Sequence, residues 1–583
     1  MDKQLVNSKK EYKNLKTKQE RISNTLSKVR LIIFFIFLSI LLVNFKVKLS
    51  ALNIFLWLVS IVFIIVAIYH SKVENKIRKY NKYLDIIKNY EERSNGNWKK
   101  NQSDQEEVTS QFMTDLDVIG RNSLFQFINF TNSLGGKNKL LDKLSLKNVS
   151  KKSIETNQKA ISELKNNFNF SLKFQEKLSK IDKIKNIDYK DYLNFFDQKA
   201  KSNFPELIVS LIISVITIIV SILTALGTIK SYYLVGLIIL QLITSYFYVL
   251  LYKEDFNRIS KCARKYSDLK EIYSFIENQK FTSPKNQELQ NRIKKGHFIL
   301  NKLSNIAALD SYRNNFITYL IFNIFASLNF LILYKYISLL NDKSIDFKNS
   351  IKALEEFEVL ISLTTIGYVK ENISIPKIVD KLTLSLSDIK HPLLTELECV
   401  SNNFSCNQDI NIITGSNMSG KTSFMRTIGI NLILAYCGSY VTATTFTCPI
   451  MTIFTSINVK DDISNGISTF YGELKRIKAA LDYSKNNDGP FIIFIDEIFK
   501  GTNYNDRILG AKETLKKLSN LNCIVFLTTH DFELCEINNK KIHNYHFKET
   551  YQENKILFDY KIREGECTTT NAKYLMKQMN IID

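Results

Sequence analysis

Four long stretches without a single charge, arranged as two close pairs, constrain this chain more than any other feature. Residues 31–45 (LIIFFIFLSILLVNF) are followed, after Lys46-Val47-Lys48, by an uncharged run from Leu49 to Tyr69. Leu207–Ile229 and Ser231–Tyr252 are separated only by Lys230. Crossing about 30 Å of hydrocarbon takes roughly 20 helical residues. The last three runs reach that length, and the first reaches it if Arg30 and Lys46 extend their charged ends toward the headgroups. Each pair reads as a transmembrane helical hairpin, so a lipid bilayer is the first partner expected. A signal peptide is disfavoured for the first run, because a polar segment of 30 residues precedes it and no small-residue cleavage site follows. Nine Lys/Arg lie in residues 1–30 and many more in 70–205 and after 252, against two and one in the turns. That bias predicts a multi-pass protein of the cell membrane with both termini and all bulky segments cytoplasmic. A further apolar stretch, Phe316–Tyr334, is interrupted by Thr318, Asn323, Ser327 and Asn329, lacks a hairpin partner, and reads as a buried soluble helix, with a fifth span as the alternative.

The remaining upstream sequence is charged, poor in Pro and Gly, and spaces its apolar residues by three and four, which predicts long amphipathic helices. After Pro376 the texture changes to short β-branched runs and turns, and an α/β domain begins near residues 380–400. The expected order is a charged helix (1–30), hairpin (31–70), helical segment (71–205), second hairpin (206–252), second helical segment (253–380) and α/β domain (381–583). The chain holds 79 basic and 57 acidic residues, but residues 401–583 hold 20 and 19, so the excess lies upstream. It could serve DNA phosphates, anionic lipid or membrane orientation, or reflect only a Lys-rich composition. Eight scattered cysteines, with no C-x-x-C pair, fit reduced thiols better than a zinc site or disulfide frame.

The α/β domain carries the chemistry. An apolar strand, Ile410–Thr414, runs into Gly415-Ser416-Asn417-Met418-Ser419-Gly420-Lys421-Thr422, and a helix begins at Lys421. This is G-x-x-x-x-G-K-[ST] in the strand–loop–helix context that an ATP-binding P-loop needs. Backbone N–H groups from Gly415 through Ser423 can face phosphate oxygens, Lys421 can reach the β/γ-phosphates, and the Thr422 hydroxyl can bind Mg²⁺. A second apolar run, Phe491–Ile495, ends in Asp496-Glu497, where Asp496 would hold Mg²⁺ through water and Glu497 would polarise the attacking water. A third, Cys523–Thr529, ends in His530, placed to sense the γ-phosphate. Between them, Gly466, Ser468 and Thr469 stand at a helix start, which offers either an anion cradle for another subunit's nucleotide or an ordinary cap.

Five blocks together, TGSNMSGKTSFMRTIG (414–429), GSYVTA (438–443), DDISNGISTFYGEL (461–474), FIDEIFKGTNYND (494–506) and TTHDFEL (528–534), resemble the MutS family of DNA mismatch-recognition ATPases in order and spacing. HPLL (391–394), HNYHF (543–547) and DYKIREGECTTTNAKYL (559–575) extend the likeness. Residues 115–144 and the KALEEFEVLISL run (352–363) look like the family's helical core. The resemblance implies an α/β P-loop NTPase of the ABC/MutS type behind an all-α lever region, here interrupted by hairpins. It implies ATP and Mg²⁺ as cofactors, catalytic roles for Lys421, Glu497 and His530, and an added nucleotide contact at Asn417. It further implies a trans role for Ser468 and Thr469, Asp506 on the loop linking paired sites, a homodimer, and DNA as a partner. The family's Phe-x-Glu wedge is absent from the amino-terminal region; Phe204-Pro205-Glu206 is a chance likeness at the mouth of the third span. A membrane-anchored ATPase that has kept the engine and lost DNA is therefore the alternative. An ATP-binding-cassette transporter is disfavoured, because NGISTFYGEL stands where a Leu-Ser-Gly-Gly-Gln signature would, and the spans carry no charge.

Overall fold

Charged amphipathic sequence and apolar sequence merge into single helices at the amino terminus. In the computed structural model, which describes residues 2–47, 49–100, 110–181, 204–457, 459, 468–487, 489–552 and 555–566, Lys3–Val47 and Ser50–Ser94 are two helices of 45 residues. They run antiparallel: Asn44 pairs with Asn53 at 2.8 Å, Arg30 with His70 at 2.9 Å, and Lys9 with Glu91 at 2.7 Å. The expected boundary near residue 30 is therefore no structural boundary. The apolar ends of both helices are long enough to cross a membrane, and none of their apolar windows is buried. The opposite ends are packed in protein. Tyr12, Tyr83 and Tyr90 are buried, and the Tyr90 hydroxyl accepts from Gln175 at 2.7 Å. Arg93, also buried, donates to the carbonyls of Phe127 (2.5 Å) and Asn129 (3.2 Å), capping a short helix from Leu124 to Ile128. The backbone N–H of Asp2 donates to the Tyr368 carbonyl at 3.0 Å, and its side chain pairs with Lys165 at 3.1 Å.

The chain divides into two compact units: Met1–Asn129, Leu140–Glu176 and Leu360–Asp583 form the first, and Phe130–Lys139 with Lys177–Val359 form the second. The six consecutive segments expected from sequence thus interleave, because the Leu328–Val369 helix belongs to both. In the second unit, Ser231–Leu251 is long and apolar enough to cross a membrane. Its hairpin partner, Phe204–Ala225, ends four residues before the expected Ile229, in a turn where Gly227 has φ +75°; its described apolar part, Val209–Ala225, falls short of a full span. Side chains of the Phe204-Pro205-Glu206 triplet, and residues 182–203, lie outside what the structure describes.

The stretch Phe316–Tyr334 is not one buried helix. Phe316–Ala326 and the helix from Leu328 meet at Ser327, whose φ is +45°, with a bend of 76°, the form of a broken span or re-entrant loop. Phe316, Ile317 and Ile321 point outward, and the buried member of the first helix is Asn323. Three of the four polar interruptions, Asn323, Ser327 and Asn329, are buried and form the inward face. The Gln241 amide donates to Ser214 and Ser327 at 2.8 Å each and to the Asn323 carbonyl at 3.0 Å, while Asn323 Oδ1 accepts from Ser245 and from the Asn329 N–H. Such a cluster replaces helix-to-helix water that an apolar surrounding cannot supply. Elsewhere in this unit Glu358 is fully buried, accepts from the backbone of Asn132 (2.6 Å) and Ser133 (3.0 Å), and is pushed up by burial to about 7.

The carboxyl-terminal domain is a six-stranded sheet in the order Lys555–Glu564, Ile542–Gln552, Ile410–Thr414, Cys523–Thr528, Phe491–Asp496, Thr452–Ser456. All neighbours are parallel except the first pair. A smaller sheet adds Lys377–Ile378, Thr445–Cys448, Leu384–Ile389 and Asn402–Cys406, so the domain begins slightly before the expected 381. Parallel strands buried on both faces read as unbroken apolar runs, and FIIFI and CIVFL are wholly buried. The Lys421–Cys437 helix is itself buried nearly all round. It stops at Gly438, whose φ of +78° returns the Ser439 N–H to the Leu434 carbonyl at 2.9 Å. A Cβ there would lie 2.5 Å from Asn157 Cβ and 2.9 Å from the Ile154 carbonyl. Gly438→Ala should lower stability by about 1–3 kcal/mol, read as a fall in unfolding midpoint of the solubilised chain; an unchanged midpoint contradicts this packing.

Candidate functional site: a P-loop at the carboxyl edge of the sheet

Three parallel strands end side by side, and each delivers one part of the site. From Ile410–Thr414 the chain enters the loop through Gly415 (φ +147°), passes Met418 (φ +69°) and reaches Gly420 (φ +107°). The glycines are needed twice over: a Cβ on Gly415 would meet Ser419 Oγ at 2.9 Å and the Phe547 carbonyl at 3.0 Å, and one on Gly420 would meet the Tyr560 ring at 3.1 Å. Lys421 Nζ lies over the loop, donating to the carbonyls of Gly415 (2.7 Å) and Ser416 (2.8 Å). Met418 is exposed at the rim, and Ser416 Oγ donates to the buried Glu549 at 2.9 Å. Ser423 takes the Thr427 hydroxyl on its carbonyl at 2.7 Å, inside the helix's first turn.

Asp496 ends the neighbouring strand. Its Oδ1 accepts from Thr422 Oγ1 at 3.0 Å and from Thr528 Oγ1 at 2.5 Å, which brings a hydroxyl and a carboxylate together as oxygen ligands suited to Mg²⁺. Glu497 has φ +54° and its N–H donates to the Thr528 carbonyl at 3.0 Å, so the backbone turns the carboxylate away from the strand axis. His530 Nε2 lies 3.2 Å from Glu497 Oε1 and 2.9 Å from Asn417 Oδ1, and Lys500 Nζ lies 3.2 Å from Glu497 Oε2. With those partners, His530 first, the Glu497 carboxyl is held down at about 2. Asn417, Glu497 and His530, named from three separate blocks, form one chain of contacts.

Ser468 caps the Thr469–Asn486 helix by accepting from Tyr471 N at 3.4 Å, the capping use that its residue type allows. Gly466 and the rest of 461–467 lie outside the described residues, as do 567–575 of the last resembling block. Asp506 sits in the first turn of the Tyr504–Leu518 helix, exchanging hydrogen bonds with the cap Asn503 at 3.0 and 2.6 Å.

Several residues of the site were not legible as such. Thr528 and Glu549 carry no motif signal of their own; one lies within the quoted TTH, the other in an ordinary strand. Glu473 is buried near the backbone of Phe499 and Lys500, just past Glu497, and burial pushes its carboxyl up. Asp115 lies more than 300 residues upstream, yet it is buried against Arg476 at 2.6 Å and the Ile457 N–H at 3.2 Å, while Arg426 reaches Asp117 at 2.9 Å and the Asp115 carbonyl at 3.1 Å. A signal existed in the unusual acidic pair of DLD, but its partners are set by folding.

The strand–loop–helix cradle, the Thr422–Asp496 pair and the parallel sheet define a P-loop domain of the ATPase type, following a largely helical region with long apolar helices. Residues 411–579 match the model of MutS domain V. The DNA mismatch repair protein MutS of Clostridioides difficile (strain 630) is 30% identical over 243 residues, which are 40% of this chain and 25% of that protein. The likeness to MutS is thus carried by this carboxyl-terminal domain. It spans about a quarter of the length of that relative.

Asp115→Ala leaves the Arg476 guanidinium buried without its carboxylate and should cost about 3–5 kcal/mol; equal unfolding midpoints for the variant and wild type would contradict the pairing. Because the Glu497 carboxyl titrates near 2 rather than 4.5, its charge persists, with the stability it brings, down through pH 4.5 and is lost only as pH falls toward 2. His530→Ala should raise that titration toward 4.5, seen as an acidic limb of nucleotide hydrolysis moved upward; an unmoved limb removes His530 as the cause.

Proposed function

We propose that the chain is a membrane-anchored ATPase of the MutS family that binds ATP with Mg²⁺, hydrolyses it, and acts as a homodimeric clamp on DNA in a mismatch-repair-related role. The observation that carries the hydrolytic half is the joining of Asn417, Glu497 and His530 beside the Thr422–Asp496 pair. Mg²⁺ bound at Thr422 and Asp496 would neutralise charge on the β/γ-phosphates. Lys421 exchanges the loop carbonyls for phosphate oxygens. Glu497, a carboxylate at every physiological pH, accepts a hydrogen bond from the attacking water and aligns it, and His530 links that carboxylate to Asn417 on the loop, so that contact with the terminal phosphate is felt at both. Ser468 and Thr469 would face the partner's nucleotide and Asp506 would lie on the path between paired sites; the cap contacts of Ser468 and Asp506 are compatible with those roles.

Membrane anchoring rests on the unburied apolar ends of Lys3–Val47 and Ser50–Ser94 and on the apolar Ser231–Leu251 helix. The charge bias supports a cytoplasmic side for the ATPase domain and both termini. DNA binding rests on the family relationship and on the basic excess upstream. A second reading, an engine that moves or scaffolds membrane-bound partners without DNA, is favoured by a specific feature. The two 45-residue helices run unbroken from their apolar ends into the buried contacts of Asp2, Tyr90 and Arg93, and so could carry force.

Glu497→Gln should retain ATP binding and lower turnover at least about 100-fold, whereas Lys421→Ala should lose binding; equal turnover in Glu497→Gln and wild type overturns the assignment. The solubilised dimer, tested on homoduplex, mismatch, junction and single-stranded DNA with and without ATP, should bind with steep salt dependence. Absence of binding to all four, with ATP turnover intact, selects the second reading.

A further inference from the structure

Within the second unit, the Pro284–Ser311 and Leu328–Val369 helices flank a half-open hollow of about 290 Å³, lined by Lys302, Asn305, Ile306, Tyr334, Lys335, Ser338 and Leu339. Among the described residues its polar lining is two ammonium groups, an amide, a phenol and a hydroxyl, with no carboxylate. Among the described residues no ion pair is formed by Lys302 or Lys335; Lys302 Nζ lies 4.6 Å from the centre of the Phe298 ring. Both lysines are exposed at the hollow, so their ammonium groups are open to an anion that settles there. The hollow is too narrow for a folded partner but roomy enough for a phosphate group with part of its ester. Buried Ile306 and Leu339 supply an apolar wall beside the charges.

The surroundings say what kind of phosphate. Lys335 and Tyr334 follow the Ser327 break by eight and seven residues on one helix, roughly 12 Å along its axis at most. On the other side of the break, Phe316, Ile317 and Ile321 are exposed, as are Tyr334 and Phe298. A basic pair with an aromatic companion, next to outward apolar side chains, is the arrangement by which proteins hold the charged headgroup of a lipid whose tails lie along the neighbouring helix. DNA phosphates would meet the same lysines but would gain nothing from the apolar surface beside them.

We propose that this cavity binds the phosphate headgroup of an anionic phospholipid, with Lys302 and Lys335 pairing its charge and Asn305 and Ser338 donating hydrogen bonds. The inference rests on the membrane reading above. The test uses the full chain. Wild type is first assayed for retention in alkaline-washed membranes; release into the wash would end the membrane reading and this proposal with it. The detergent-solubilised protein is then titrated with phosphatidylglycerol, phosphatidylcholine, inorganic phosphate and duplex DNA, and bound species are counted by native mass spectrometry. Phosphatidylglycerol should be retained in preference to phosphatidylcholine. Lys302→Ala with Lys335→Ala should weaken it roughly 30-fold, at about 1 kcal/mol per lysine, while the double Arg variant keeps it. Ser338→Trp, which leaves both lysines and fills the hollow, should also lose the lipid while remaining membrane-bound and able to hydrolyse ATP. A washed protein that stays in membranes but shows no preference between the lipids, or an Ala pair that binds as wild type does, overturns the cavity alone. Equal occupancy by inorganic phosphate makes it a free-phosphate site, and a loss confined to DNA binding makes it a DNA contact; either result refutes the lipid assignment.

Discussion

The helix that begins at Lys421 is buried along almost its whole length, and the rest of the first unit is arranged to bury it. A helix apolar all round must be surrounded by protein or lipid. Here strands cover one face, with Phe424 against Phe404 and Phe547. Segments from far upstream cover the others: a Cβ on Gly429 would strike Leu116 at 2.7 Å, and Asn157 donates to the Cys437 carbonyl at 3.1 Å. The phosphate loop therefore sits at the end of an element that the amino-terminal half of the chain holds in place.

That dependence gives nucleotide chemistry a physical route into the helical region. Arg426, one turn beyond the loop, and Arg476, from the helix that Ser468 caps, both meet the Asp115–Asp117 segment. A few residues on, the carbonyls of Phe127 and Asn129 are gripped by Arg93 from the long second helix. Each of these contacts involves a buried or half-buried charge, which tolerates little slack, since separation would leave that charge unpaired in a poorly solvated place. A chain of contacts thus links the loop's helix to the packed end of the long second helix.

The broken helix at Ser327 shows where reading by hydropathy fails. Asn323, Ser327 and Asn329 looked like defects in an apolar stretch, and the natural inference was a soluble helix with its apolar residues inside. The structure turns the segment inside out. Its polar groups find Gln241, Ser214 and Ser245 on the neighbouring helices, and its Phe and Ile side chains face away. Periodicity reports which residues share a face, but not whether protein or something apolar lies on the other side.

Local sequence determined the parts of the site that are contiguous. Gly415 to Thr422 dictates a phosphate loop because only glycine suits two of its backbone positions, and FIIFID and CIVFLTTH read as buried parallel strands because such short unbroken apolar runs before a polar tip suit strands covered on both faces. Asn417, Asp496, Glu497 and His530 were legible because each stands at the end of such a strand or within the loop. Tertiary structure alone decided that His530 bridges Glu497 to Asn417, that Glu549 meets Ser416, that Glu473 is buried near Phe499 and Lys500, and that Asp115 receives Arg476. Those pairs are separated by tens to hundreds of residues, and no local preference encodes them. They exist because the charges, once carried into the interior by the apolar sequence around them, are stable there only beside a partner.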